Sequence, residues 1–116
     1  MTEDAAVAVL SPGEKVHLVF RRLFPGDVRR HFVGEIQAVA DDQIRVTGHA
    51  FVFDEHSNEY QRKPEQRTRV FSLSTPVNVN VIPTGVDPAQ VFYCERAGRL
   101  VVTDGGDFTL DVNETA

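Results

Sequence analysis

The stretch RHFVGEIQAVADDQIRVTGHAFVF, residues 30–53, decides the fold class of this chain. Before the acidic pair Asp41–Asp42, Phe32 and Ile36 fall on one side of a two-residue alternation, and the same alternation resumes at Ile44. A period of two is typical of a half-buried β-strand, and two turn-forming residues between such runs indicate a tight reversal. The stretch therefore predicts two antiparallel strands joined by a short turn.

Two glycines and two phenylalanines add detail to this pair of strands. Gly34 and Gly48 lie in mid-strand, where a missing side chain often marks a bend or a close approach of backbones. Near Phe51 and Phe53 the second strand becomes apolar on both faces, which predicts that it enters a core or an interface. We take Phe51 and Phe53 as candidate interface residues.

The rest of the chain repeats the pattern of short strands and turn residues. Further strands are predicted over 15–23, 67–74, 77–82, 91–95, 99–103 and 108–112. The polar run 54–66 predicts an extended loop or long hairpin tip, and 87–90 predicts a single capped helical turn. We expect a tail or short helical lead-in over 1–12 and one β domain over 13–116, divided into a barrel (13–85) and a C-terminal β-meander (86–116).

Composition sets the broad class. The 116 residues are 41% hydrophobic, which is enough to form one hydrophobic core without disulfides or structural metals. The single cysteine, Cys94, excludes an intrachain disulfide. The net charge of −5 argues against general binding of nucleic acid, which depends on neutralising phosphates. The first residues are acidic where a secretory signal would be basic, and no apolar run reaches the length of a membrane span. We expect a cytoplasmic protein with no membrane partner.

The charge is unevenly distributed along the chain. Ten basic and eight acidic residues lie between 15 and 69, whereas both ends are acidic. The basic residues flank two turns, and the candidate nucleic-acid-binding set is Arg21, Arg22, Arg29, Arg30, Arg62 and Lys63, with Arg67 and Arg69 close to the last two. Arginine beside Phe24 and Tyr60 could hold phosphates and stack bases. The alternative is that these are solvated strand faces and edge charges that discourage aggregation.

Few features suggest chemistry. Asp54, Glu55, His56 and Glu59 have the residue types of a metal site, but no second histidine stands at ligand spacing. Cys94 lies in a predicted strand without a nearby base, and His17 and His49 fit half-exposed packing positions. We assign no catalytic residue, no metal ligand and no cofactor, and we expect a protein that is not an enzyme.

Several elements between about 13 and 82 resemble one family. They are the lead Ser11-Pro12-Gly13 into a strand, a strand with the central Gly34, the acidic turn after it, and a final strand over 77–82. Together they resemble the five-stranded, strongly bent barrel of Sm-like proteins, a variant of the SH3-like barrel. Sm-like proteins commonly assemble as rings and bind single-stranded RNA, and the resemblance implies these properties for this chain. However, Gln43-Ile44-Arg45 and Ser74-Thr75-Pro76-Val77 stand where the family has its RNA-contacting motifs, so no RNA-binding residue is carried over.

These observations favour a small all-β barrel with an appended meander that works by association. We expect a non-enzymatic interaction module that forms a homo-oligomer or binds a protein partner, since small open barrels leave strand edges unpaired. The alternative is a single-stranded RNA-binding protein that uses the local arginine patch.

Overall fold

The computed structural model describes residues 9–22, 24 and 26–112, and it is all-β, as the sequence predicts. Residues 1–8 of the lead-in predicted over 1–12 fall outside the described residues, as do Leu23, Pro25 and residues 113–116, and residues 9–12 contain no helical turn. One 3-10 turn, Pro88–Gln90, interrupts the strands. The strands are β1 (Lys15–Phe20), β2 (Arg30–Ala40), β3 (Gln43–Asp54), β4 (Glu59–Arg62), β5 (Arg67–Ser72), β6 (Val77–Ile82), β7 (Phe92–Arg96), β8 (Arg99–Thr103) and β9 (Thr109–Asp111).

The first six strands form one antiparallel sheet. Its hydrogen-bonded order is β4-β3-β2-β1-β6, and β5 also pairs with β3. The long strand β3 serves two partners in succession: its first half, 43–48, pairs with β5, and its last part, 51–54, pairs with β4. The remaining strands β7, β8 and β9 form a separate three-stranded antiparallel meander.

The six-stranded sheet curls around its own apolar face. Phe20 on β1 and Phe71 on β5 have ring centroids 5.3 Å apart, although two strands lie between β1 and β5. Three strand spacings in a flat sheet would separate them by roughly 14 Å. Within the described residues, β5 and β6 do not pair with each other, so the curl does not close into a barrel.

The concave face of the curl holds the first hydrophobic core. Its buried members come from the first three strands, and partly buried residues from β5 and β6 complete it. The cluster comprises Val16, Leu18, Phe32, Ile36, Ile44 and Val46, with Leu10, Phe20, Ala50, Phe71, Leu73, Val77 and Val79 packed against it. One cluster shared by strands from both ends of the sheet is what holds the sheet in its curved form.

The two mid-strand glycines stand opposite each other where β2 and β3 come closest. A Cβ on Gly34 would lie 2.3 Å from the Thr47 carbonyl oxygen, and a Cβ on Gly48 would lie 2.0 Å from that of Val33. Real Cβ atoms do not approach backbone so closely. The close approach expected at Gly34 is therefore confirmed, and the structure adds the same close approach at Gly48, where β3 leaves its partner β5.

The meander covers the convex face of the curl and forms the second core there. Val33 and Phe51 on the large sheet pack with Val91 and Val102 of the meander, and all four are buried. The other cluster members are Ile82, Val86 and Val112, with Tyr60, Tyr93, Leu100, Phe108 and Leu110 packed against them. The concave mouth is left as the uncovered side of the sheet.

Two local predictions have different outcomes. The capped turn is confirmed, because the Asp87 side chain accepts a hydrogen bond from the Ala89 amide at 3.0 Å and Pro88 opens the turn. The interpretation of 54–66 as loop is incomplete: Glu59–Arg62 forms β4, paired with the end of β3. This segment shows little apolar alternation, and backbone pairing with β3 makes it a strand.

Candidate binding groove

A groove of about 420 Å³ opens at the mouth of the curled sheet. Its floor is the exposed end of the concave core, and its walls come from β2, β3, β5 and the segment between β4 and β5. The lining residues are Phe20, Arg30, His31, Phe32, Ala50, Val52, Lys63, Glu65, Arg67, Arg69 and Phe71. Four cations and one carboxylate therefore surround an apolar floor in a chain whose net charge is −5.

The alternation of side chains along a strand selects which basic residues enter the groove. Arg30 lines it, whereas its neighbour Arg29 places its guanidinium carbon 5.6 Å from the centroid of the Phe53 ring. Lys63 lines the groove, whereas Arg62 bonds the Ala89 carbonyl and lies over the Phe51 ring. Because neighbouring residues face opposite sides of a sheet, each basic pair contributes one cation to the groove.

Strand β5 supplies one complete wall. Arg67, Arg69 and Phe71 all line the groove, as their two-residue spacing requires. Their strand pairs with β3 along one edge, and its other edge has no strand partner among the described residues. Val70, which lies between them on the opposite face, is 57% exposed.

The phenylalanine floor is packed rather than flat. The Phe71 ring lies 5.3 Å from Phe20 at an interplanar angle of 38°, and 5.1 Å from Phe32 at 61°. Phe32 is 1% exposed, while Phe20 and Phe71 are partly buried. The three rings are therefore tilted against one another and do not form a parallel stacking platform.

The cations of the groove are mostly unneutralised. Arg67 forms an ion pair with Glu65 at 2.9 Å, and both side chains remain substantially exposed. In the described part of the chain, no ion pair involves Arg30, Lys63 or Arg69. The groove can therefore attract a negatively charged group at short range.

The structure divides the sequence-predicted basic set among several surfaces. Arg30 and Lys63 meet in the groove, together with Arg67 and Arg69. A second cleft of about 430 Å³ contains Arg22 and Arg29 together with Phe53, Asp27 and Glu55. Arg21 is exposed and lines neither cleft, so the six residues do not converge on one surface.

Phe51 and Phe53 also separate. Phe51 is 2% exposed and packs against Tyr93 in the convex-face core, with ring centroids 5.0 Å apart. The expectation that Phe51 lies at a free interface is therefore not supported, because the meander already covers it. Phe53 is partly exposed under Arg29, and both line the second cleft.

A buried polar cluster joins the large sheet to the meander. His17 on β1 and His31 on β2 are 0% and 4% exposed, and the Tyr93 hydroxyl contacts both imidazoles. The His17 Nε2 lies 2.9 Å from that hydroxyl, and the Asn80 side-chain nitrogen lies 3.2 Å from His17 Nδ1. Tyr60 stacks on both His31 and Tyr93. The prediction that His17 is half-exposed is wrong, because the meander covers it.

One assignment of donors and acceptors satisfies this cluster with both imidazoles neutral. Asn80 donates to His17 Nδ1, His17 Nε2–H donates to the Tyr93 oxygen, and the Tyr93 hydroxyl donates to His31 Nδ1. Burial, reinforced by the neighbouring His31, lowers the pKa of His17 to about 3. Burial, reinforced by Arg29, lowers the pKa of His31 to about 4. Burial raises the pKa of Tyr93 well above its ordinary value, with Tyr60 adding to the effect.

The acidic residues considered as metal ligands have a structural role in the β3–β4 turn. Asp54 accepts hydrogen bonds from the His56 amide at 3.1 Å and the Ser57 hydroxyl at 3.0 Å, so it organises the β3–β4 turn. In the range that the structure describes, no three His, Cys, Asp or Glu side chains are placed to hold a metal ion. No helix within that range is long and apolar enough to cross a membrane.

A third cleft, about 620 Å³ in volume, separates the β3–β4 turn from the meander. Arg29, Glu59, Tyr60 and Glu95 are among its lining residues. Its charges are mixed, and they do not select one class of ligand as the cationic groove does.

Comparison of the chain with family models, curated proteins and solved structures found no match.

Proposed function

We propose that this chain is a non-enzymatic β-sheet interaction module that binds a protein partner, or another copy of itself, at the open mouth of its curled sheet. The observation that carries the proposal is the groove itself, in which four cations surround an apolar floor beside an unpaired strand edge. Such an edge offers backbone hydrogen bonds, and the neighbouring side chains add selectivity.

The same proposal includes the finer architecture, an open variant of the Sm-like or SH3-like barrel. Two features support it. Strand β1 lies between β2 and β6, and β5 and β6, which lie toward opposite edges of the sheet, both contribute to one interior cluster. A barrel opened between these strands leaves two edges for association.

The non-enzymatic part of the proposal rests on where the titratable groups lie. The imidazole pKa values of His17, His31 and His49 are all lowered, but His17 and His31, which have the large shifts, are buried between sheet and meander and form a satisfied network. The groove is lined by three guanidinium groups, one ammonium group, the Glu65 carboxylate and His31, which is 4% exposed, and its excess of cations suits the binding of an anion.

Self-association and partner binding have separate tests. Light scattering after size-exclusion chromatography, from about 10 to 200 μM, measures the homo-oligomer (a range that spans weak association). We expect Val70→Lys with Val81→Lys to abolish any oligomer, because both residues are more than half exposed, on β5 and β6. A monomer throughout would exclude the homo-oligomer and leave the protein partner.

Partner binding is measured by panning an unbiased peptide library against the protein. The comparison is the double variant Arg67→Glu with Arg69→Glu, matched by Arg21→Glu with Arg96→Glu, which makes the same charge change outside the groove. We expect binders that the groove variant loses and the matched variant retains. Absence of any groove-dependent binder, together with a monomeric protein, would refute the proposed function.

A further inference from the structure

We propose that the occupant of the groove is an extended acidic peptide that adds to the free edge of β5 as a new strand. This inference rests on the proposed function and names its partner class. Three observations carry it: the charge of the groove, the spacing of its wall residues and the shape of its floor.

The charge of the groove selects an anionic partner. Arg30, Lys63 and Arg69 have no ion-pair partner among the described residues, and only Glu65 offsets them from within the groove. An exposed edge that carries cations repels basic strands and tolerates neutral ones poorly, which limits unwanted sheet extension. A strand with carboxylates at the facing positions would satisfy those cations.

The spacing of the β5 wall fixes the pattern of the partner. Arg67, Arg69 and Phe71 point into the groove at alternate positions. A strand added beside β5 places its own alternate side chains on the same face. The predicted recognition sequence is therefore acidic-x-acidic-x-apolar, or its reverse for the opposite strand direction, with the apolar residue on the groove floor beside Phe71.

The floor favours a peptide over a single-stranded nucleic acid. Bases stack on exposed ring faces, whereas Phe20, Phe32 and Phe71 are tilted against one another and Phe32 is 1% exposed. A nucleic-acid strand also carries phosphates beyond the groove, toward a molecule with a net charge of −5. A short peptide confines its carboxylates to the cationic wall.

The test is fluorescence anisotropy with labelled peptides and the full chain. The first peptide places two aspartates and one leucine at alternate positions, and it is made in both predicted orders, one for each strand direction. A second has the same residues with the aspartates adjacent, a third carries N-methyl groups on the backbone amides that would pair with β5, and a uridine oligomer is the nucleic-acid arm. The proteins are wild type, Arg67→Glu with Arg69→Glu, and the matched Arg21→Glu with Arg96→Glu.

We expect the alternating peptide to bind wild type, with about tenfold or greater weakening in the groove variant and less than about twofold in the matched variant. The adjacent-aspartate and N-methylated peptides should each lose about tenfold, since one breaks the side-chain spacing and the other the backbone pairing. Circular dichroism of each variant verifies that its fold is retained.

Equal binding of the N-methylated peptide would overturn strand addition, and preferential binding of the uridine oligomer would overturn the peptide assignment. Different results would refute the acidic-peptide inference and the proposed function. Groove-dependent library binders without alternating acids would refute this inference alone, whereas a monomer without any groove-dependent binder would remove both.

Discussion

At the scale of single residues, the histidine–tyrosine cluster shows how a distant part of the chain sets the state of a side chain. His17 and Tyr93 lie 76 positions apart, yet their polar atoms are 2.9 Å apart in the fold. The strand alternation around His17 predicts its face correctly but not the meander that buries it. Its exposure was therefore not predictable from local sequence.

This burial has a pH consequence with a definite sign. In the unfolded chain both imidazoles gain protons near pH 6.5, whereas in the folded chain they stay neutral down to about pH 4 and about pH 3. The contribution of these two histidines to the free energy of unfolding is therefore fully present above pH 6.5 and is lost as the pH falls toward 4. Each histidine contributes up to about 1.4 kcal/mol per pH unit in that window.

Urea unfolding between pH 7 and 4.5 measures the effect. We expect His31→Gln to reduce the pH dependence of the unfolding free energy. Should His31→Gln fold poorly, imidazole carbon shifts of wild type report the same property directly. Equal pH slopes for wild type and a folded His31→Gln, or protonated imidazoles in the native protein at pH 5.5, would contradict the assignment.

At the scale of elements, the paired glycines position the groove. Gly34 and Gly48 let β2 and β3 approach closely at the point where β3 turns from β5 toward β4. That exchange of partners places Lys63 and β5 on the same side of the curl, as two parts of the groove wall. A change at either glycine should therefore disturb both the fold and the binding surface.

We expect Gly48→Ala to destabilise the protein by more than about 2 kcal/mol, because the new methyl group would meet backbone that cannot move aside. Gly85→Ala is the matched control: nothing lies within 4 Å of its added Cβ, and its effect should stay within about 0.5 kcal/mol. Thermal and urea unfolding measure both. Similar losses for the two variants would show that the close approach is not what restricts position 48.

Much of the strand content follows from the sequence because burial and alternation coincide there. Val77–Ile82 and Arg99–Thr103 have the bounds that their patterns predict. Strand β4 was missed because Tyr60 is its one apolar residue and pairing with β3 supplies its stability. The groove was found only in part: the sequence pointed to Arg30 and Lys63, but which neighbour faces the groove depends on the register of each strand.

At the scale of the whole molecule, the two faces of the curled sheet have different roles. The meander seals the convex face through Val91 and Val102 and encloses the histidine cluster. The concave face stays open at one end, where cations border the apolar floor. A molecule that is acidic overall thus presents one concentrated basic surface, which suits a selective partner better than a long polyanion.

Binding at this open mouth and along β5 is tested most directly by an amide chemical-shift titration of the isotope-labelled full chain with the alternating acidic peptide. We predict the largest changes in β5, residues 67–72, and at Arg30 and Lys63, with new protection from hydrogen exchange at alternate β5 amides. Changes confined to the meander or to the second cleft around Phe53, with β5 unaffected, would contradict the account.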